Sequence, residues 1–276
     1  MPFFILALYG WEPRHTLAQT GTLTPTPVEQ GTLPDATLVF LPVIALQEEP
    51  TPTPTPTPTT VFAIIPVLEP PIDRPAATNP DLNLAIRGYV PITAPLALID
   101  VGGDTDPHAP QLAAIFDPPR LPTFRAAHQV YDWNWACGVD GCRGQPISAP
   151  TVTLVAVATT PGEALTIPSR IPEIYGGGFR ALVLYAEATR LTLAYTRQDT
   201  PAVGYLVHLE GVAVDSALVA LYTAQNASGR AHLPALHNNE QIGVAATDTI
   251  LIAIRDTGSF MDPRSRKDWW VGYLTR

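Results

Sequence analysis

Lysine occurs once in the 276-residue chain, at Lys267, beside 15 arginines, and charged residues of all kinds make up only 15 %. With a formal net charge of −9 and a sequence pI near 5.0, the chain has no broad cationic face. That excludes a nucleic-acid partner, whose phosphates are met by clustered Lys and Arg. Cysteine is nearly as scarce, with two in total; a structural zinc site takes about four ligands, and no second pair exists to complete one. No apolar run reaches the ~18–20 residues of a membrane span, so no span is expected. Short catalytic signatures are missing too. No GxxxxGK[ST] follows Gly176-Gly177-Gly178, and Gly258-Ser259 lacks the framing glycine of a GxSxG elbow.

Proline, by contrast, is abundant. It supplies 31 of 276 residues, about 11 % against a usual ~5 %, and fifteen of these fall in the first 75 positions. Thr51–Thr60 reads TPTPTPTPTT. Every second residue there lacks an amide hydrogen and has a fixed φ, so the run can form neither ladder nor helix and is expected as an extended polyproline II spacer. Phe3–Tyr9 (FFILALY) has the length of a signal-peptide apolar region, with Leu17-Ala18-Gln19 as a candidate cleavage end, although the basic lead of such peptides is lacking. Leu38–Leu46 (LVFLPVIAL) is too short to span a membrane and is broken by Pro42. This segment and the following Thr/Pro run resemble the stalks of surface proteins from filamentous green bacteria, and 15 Arg to one Lys fits a GC-rich genome. Residues 1–78 are therefore expected to be a disordered Thr/Pro-rich export and stalk region, on a secreted or cell-surface protein.

Residues 79–150 read as an irregular segment. Leu96–Val101 (LALIDV) suggests a strand, followed by the turn-rich acidic loop Gly102–Pro107. The even spacing of Asp100, Asp104 and Asp106 suits a calcium loop, but the glycine and closing Glu of such a loop are missing, which favours an Asx-turn. Tyr131, Trp133 and Trp135 alternate with Asp132 and Asn134, so a strand would put three rings on one face. Such a face is either a plate of core or a sugar-stacking platform. Cys137 and Cys142 flank Gly138 and Gly141, a spacing that a tight turn closes into a local disulfide, with free thiols and a metal or redox role as alternatives.

Residues 151–276 form the expected β-domain. Val152–Ala158, Ala181–Tyr185, Leu191–Tyr195, Tyr205–Glu210 and Thr249–Arg255 are short β-branched or aromatic runs separated by turn residues. Glu187–Arg190 reads as a hairpin, and Val214–Ala224 is the one good helix candidate, with Asp215 and Ser216 as cap material. The fold class expected is mainly β: a β-sandwich or partly closed barrel with one short helix.

Gln241-Ile242-Gly243, then Ile254-Arg255, Gly258 and Asp262-Pro263, resemble the closing hairpin of the lysostaphin-type zinc endopeptidases. Tyr205, His208 and Leu209 resemble that family's Tyr-x-His-Leu strand. The resemblance covers about residues 160–264 and implies a hydrolase of peptidoglycan. Aligned on Ile254-Arg255, however, the HxH positions that would bind zinc are Thr249 and Leu251, and no His lies between His128 and His208 to supply an early ligand. A catalytic zinc needs three protein ligands, so a relative of this kind would be metal-free, with no cofactor.

What remains as candidate chemistry is His208, with Asp215, Glu210 and Glu187 as carboxylates. The stretch Met261–Tyr273 combines Arg264, Arg266 and Lys267 with Trp269-Trp270. It reads either as a docking patch for an anionic or glycan polymer or as a cap of the β-domain. On a strand the two indoles would point to opposite faces. Together with Trp133 and Trp135 these are the candidate binding residues. The function expected is an exported, non-catalytic cell-envelope protein that binds cell-wall glycan or a surface partner. The alternatives are a divergent lysostaphin-type hydrolase and a structural surface-assembly module.

Overall fold

The computed structural model describes residues 61–68 and 75–273; the Thr/Pro run and the apolar segments Phe3–Tyr9 and Leu38–Leu46 lie outside them. The elements follow in chain order as β1 (Ala63–Pro66), α1 (Leu84–Arg87), β2 (Tyr89–Ile92), β3 (Phe124–Asn134), β4 (Cys142–Pro146) and β5 (Leu154–Ala158). Then come β6 (Ala164–Thr166), β7 (Phe179–Glu187), β8 (Arg190–Ala194), β9 (Tyr205–Glu210), β10 (Val212–Val214) and α2 (Ser216–Ala227). The chain closes with β11 (His232–His237), β12 (Gln241–Ala245), β13 (Thr249–Asp256), β14 (Ser259–Met261) and α3 (Arg266–Trp269).

The protein is mainly β. One sheet runs in the order β1-β11-β7-β8-β9-β13-β5-β3-β2, with β14 added to β13 and β4 to β3; a second, small sheet runs β10-β12-β6. Its outermost strands, β1 and β2, are not paired to each other, so no closed barrel forms. The central strands β7, β9 and β13 are buried along nearly their whole length, which is why they read as continuous apolar runs instead of alternating ones. No helix among the described residues is long and apolar enough to cross a membrane.

Local chemistry explains the connections. β7 and β8 are joined by a two-residue loop, with Glu187 opposite Arg190. Thr257 and Gly258 both take positive φ, 46° and 84°, the backbone of a type I′ hairpin, and this turn sets Ser259 opposite Asp256. α2 starts where Asp215 accepts a hydrogen bond from the Ala217 amide at 2.8 Å, and it buries Leu218 and Tyr222, one turn apart, beside β7 and β11.

Three expectations need correction. Leu96–Val101 is no strand: it forms only an isolated bridge, Ile99 with Ser265, because Pro95 and Gly102-Gly103 bound it and no neighbouring strand offers a ladder. One strand, β1, lies inside the stretch expected to be disordered. Its Val61–Val67 surroundings supply enough apolar surface to bury Phe62 and Ile65 and to pair β1 with β11. Finally, residues 266–269 form a helix, α3, where an extended strand had been considered.

Candidate functional site

The sheet brings the candidate polar residues into rows. Tyr185 pairs with Thr192, Thr192 with His208, and His208 with Ala253. Two positions along, Glu187 pairs with Arg190 and Arg190 with Glu210. Alternation keeps both rows on one face, and the contacts agree: Tyr185 donates to Glu187 at 2.8 Å, Arg190 ion-pairs with Glu187, and Arg190 Nε stands 3.6 Å from Glu210.

Residues 79–89 lie across these rows and close them. Thr192 Oγ1 donates to the Leu82 carbonyl at 2.6 Å, Asn83 Nδ2 donates to Tyr185 Oη at 3.3 Å, and Tyr89 Oη donates to Glu210 Oε2 at 3.2 Å. The segment is fastened by Asp81, whose Oδ1 accepts from Arg87 Nη2 at 2.5 Å and from Arg255 Nη1 at 2.8 Å. Phe260 packs under both guanidiniums, 5.5 Å and 4.9 Å from its ring centroid, and stacks on His208.

His208 is 2 % exposed. Its Nδ1 lies 3.0 Å from Thr192 Oγ1. That hydroxyl has its single proton on the Leu82 carbonyl, so Nδ1–H must be the donor and Nε2 carries a bare lone pair. Nε2 is buried without a hydrogen-bond partner among the described residues, as are Asn83 Oδ1 and Glu210 Oε1. Burial, helped by Arg255 and Arg87 and opposed by Asp81, pushes the imidazole pKa down to about 3. Burial, with Glu187 adding to it, raises the Glu210 carboxyl above its usual range against the pull of Arg190 and Tyr89. A neutral imidazole and a carboxyl shifted toward its acid form could exchange protons with a substrate. Here the chain's own segment 79–89 lies over them, Tyr89 bonded to Glu210 and the Leu82 carbonyl to the Thr192 hydroxyl that His208 faces.

The other carboxylates do not join this cluster. Asp215 caps α2, and Asp262 is held in a bidentate pair by Arg264, with 2.9 Å and 2.7 Å contacts. Asp256 accepts from the neighbouring Thr257 hydroxyl. The implied zinc does not fit either. Thr249 and Leu251 sit on β13 opposite Ala158 and Ala156, and among the described residues no group of three His, Cys, Asp or Glu could hold a metal ion.

The C-terminal patch comes apart as a binding surface. Trp269 ends α3 and Trp270 follows it as the C-cap with φ −134° and ψ 35°, so the pair lacks the opposite-face alternation of a strand and both indoles turn inward. Trp269 and Trp270 are buried, donate to the carbonyls of Asp262 and Pro263 at 2.8 Å and 2.9 Å, and meet Tyr205 and Phe124 edge-on. Neither has a face for a sugar. Arg264 is also buried against Asp262. Arg266 and Lys267 stay partly exposed, Arg266 Nε 3.4 Å from the Asp100 carboxylate and Lys267 Nζ donating to the Asp104 carbonyl at 2.6 Å and to Asp268 at 3.0 Å.

At the tip where β3 turns into β4 stand Trp133, half-buried, and Trp135, exposed. Trp135 is 42 % exposed, and the rings lie 6.2 Å apart, edge to face. Trp133 Nε1 donates to the Asp140 carbonyl at 3.1 Å. That approach depends on Gly141, where a Cβ would stand 2.3 Å from Nε1 and where φ is +73°. Cys137 and Cys142 form the local disulfide that closes the tip. Replacing both by serine is expected to cost about 2 kcal/mol, the loop-closure entropy of so short a ring. Urea denaturation of the oxidised and the serine protein checks it; equal midpoints would show the tip to be held by hydrogen bonds alone.

Of the cluster around His208, the sequence offered His208, Glu210 and Glu187. The Asp81–Arg87–Arg255 fastening went unread, since its partners lie up to 174 positions apart and no local spacing joins them. No protein-family model, curated protein or solved structure matches the chain.

Proposed function

We propose that this chain is an exported, non-catalytic binding protein of the cell envelope, and that it meets cell-wall glycan through the β3–β4 hairpin. The observation that carries the reading is the outward-facing Trp133–Trp135 pair on a disulfide-closed tip. Indole faces stack on the C–H faces of sugars. A disulfide fits an oxidising compartment outside the cytosol, and the covered state of His208 and Glu210 supports a role without catalysis.

Sedimentation with purified peptidoglycan tests the reading. Wild type is expected to pellet with the wall, and Trp135→Ala to lose at least fivefold in affinity while keeping its fold, because the ring, 42 % exposed at the tip, is not part of the core clusters. Equal retention by both proteins would refute the assignment to the hairpin. In a turbidity assay with added zinc no clearing is expected; EDTA-sensitive clearing would replace this reading by a hydrolytic one.

A further inference from the structure

Away from the hairpin, a groove of about 710 Å³ lies between the loop 95–98 and the loop 117–123, with Arg266 in its lining. Its walls stand apart for a chemical reason. Pro95, Pro118, Pro119 and Pro122 remove amide donors from both loops, so the two extended segments cannot zip into a ladder. The lining is apolar: Leu96 and Leu121 are more than two-fifths exposed, Leu98 is half-buried, and Phe124 lies buried at the base.

Two guanidiniums reach this groove and they differ. Arg120 is neutralised within the wall: it holds Glu163 through Nε at 2.9 Å and Nη2 at 2.7 Å, and it covers the Phe116 ring at 3.9 Å. Arg266 is not held in this way. Its Nε is buried and makes no hydrogen bond among the described residues; the Asp100 carboxylate 3.4 Å away is itself 90 % exposed. A carboxylate on a solvent-exposed loop therefore stands where a ligand's head group would exchange for it. An apolar trough of this size with one convergent charged group is the usual composition of a small-molecule site.

We propose that this groove binds a monocarboxylate with an extended apolar chain, a fatty-acid-like ligand. Arg266 takes the carboxylate in place of Asp100, its planar fork matching the two oxygens, and Leu96, Leu98, Leu121 and Phe124 line the chain. The proposal is independent of the glycan reading, because the two surfaces share no residue.

Calorimetric titration of the full chain with decanoate, below its micellar range, tests it. Saturable binding at one site per chain is expected. Arg266→Gln is expected to weaken binding about tenfold or more, the value of a charge-assisted hydrogen bond, and decanol should bind the wild type correspondingly less tightly than decanoate. Leu121→Asp, at a solvent-facing position that does not threaten folding, should also weaken it. Absence of saturation would overturn the proposal, as would equal affinity of wild type and Arg266→Gln, or of decanoate and decanol. Acetate binding as tightly as decanoate would reduce the site to a bare anion contact, and tighter binding of decyl phosphate would exclude the carboxylate class.

Discussion

Asp81→Ala is expected to lower the free energy of unfolding by about 3–5 kcal/mol, the range for removing one partner of a buried charge group. Burial by itself would raise the Asp81 pKa, yet Arg255 and Arg87 outweigh it and hold the carboxyl below its usual range. Both arginines are almost fully buried. Without Asp81 the two guanidiniums keep only the solvent-exposed Asp132 carboxylate, 3.7 Å from Arg87 Nη1, a far weaker counter-charge than the buried one they lose. Arg255 keeps the Gly258 carbonyl at 2.6 Å and Arg87 keeps those of Pro80 and Tyr131, so the β13–β14 turn survives while the cover over His208 loosens. Urea denaturation gives the size of the effect, and amide exchange its place: protection should fall first across residues 82–89. A loss under 1 kcal/mol would mean that the carboxylate is not the fastening it is taken to be here.

His208 yields the second large effect, read against pH. The unfolded chain has an imidazole near pKa 6.5, whereas in the folded protein it is near 3. Above pH 6.5 both states are neutral and the stability is complete. As pH falls from 6.5 toward 3 the unfolded state takes up a proton that the folded state refuses, and stability drops by about 1.4 kcal/mol per pH unit. Other carboxylates titrate in the same window, so the useful quantity is the difference between wild type and His208→Gln. That difference should shrink by about 2 kcal/mol between pH 6.5 and pH 5. A flat difference across this range would show that His208 has water or a partner at Nε2.

The strands β5, β8, β9 and β13 could be read in the sequence because each is a short run of branched or aromatic residues between turn signals. The cap at Asp215 and the Glu187–Arg190 hairpin were legible for the same reason: their partners are two or three positions away. β11 was not, since Pro234 interrupts His232–His237 and lowers its apparent strand character. Leu96–Val101 misled in the other direction, for apolar residues suggest a strand but cannot supply the neighbour that one needs. The inward course of Trp269 and Trp270 is not legible from their spacing, because the short helix that begins at Arg266 and ends at Trp269 replaces the alternation of a strand. At the site, sequence showed His208 as a lone residue on a strand. Only the fold brings Leu82 onto the neighbouring Thr192, Tyr89 onto Glu210 and Asp81 between Arg87 and Arg255, and so covers the imidazole.

The strand order also fixes a line of mechanical force. β1 is at one margin of the sheet and β3, which carries the tryptophan tip, is next to the other. Tension applied between the chain ahead of Ala63 and a ligand gripped at that tip travels sideways, strand to strand, along the direction in which the ladder hydrogen bonds point. The link first in line is the register of four residues from Ala63–Ala235 to Pro66–His232. Pulled from its leading end this register yields pair by pair, while the remaining strands keep their pairing.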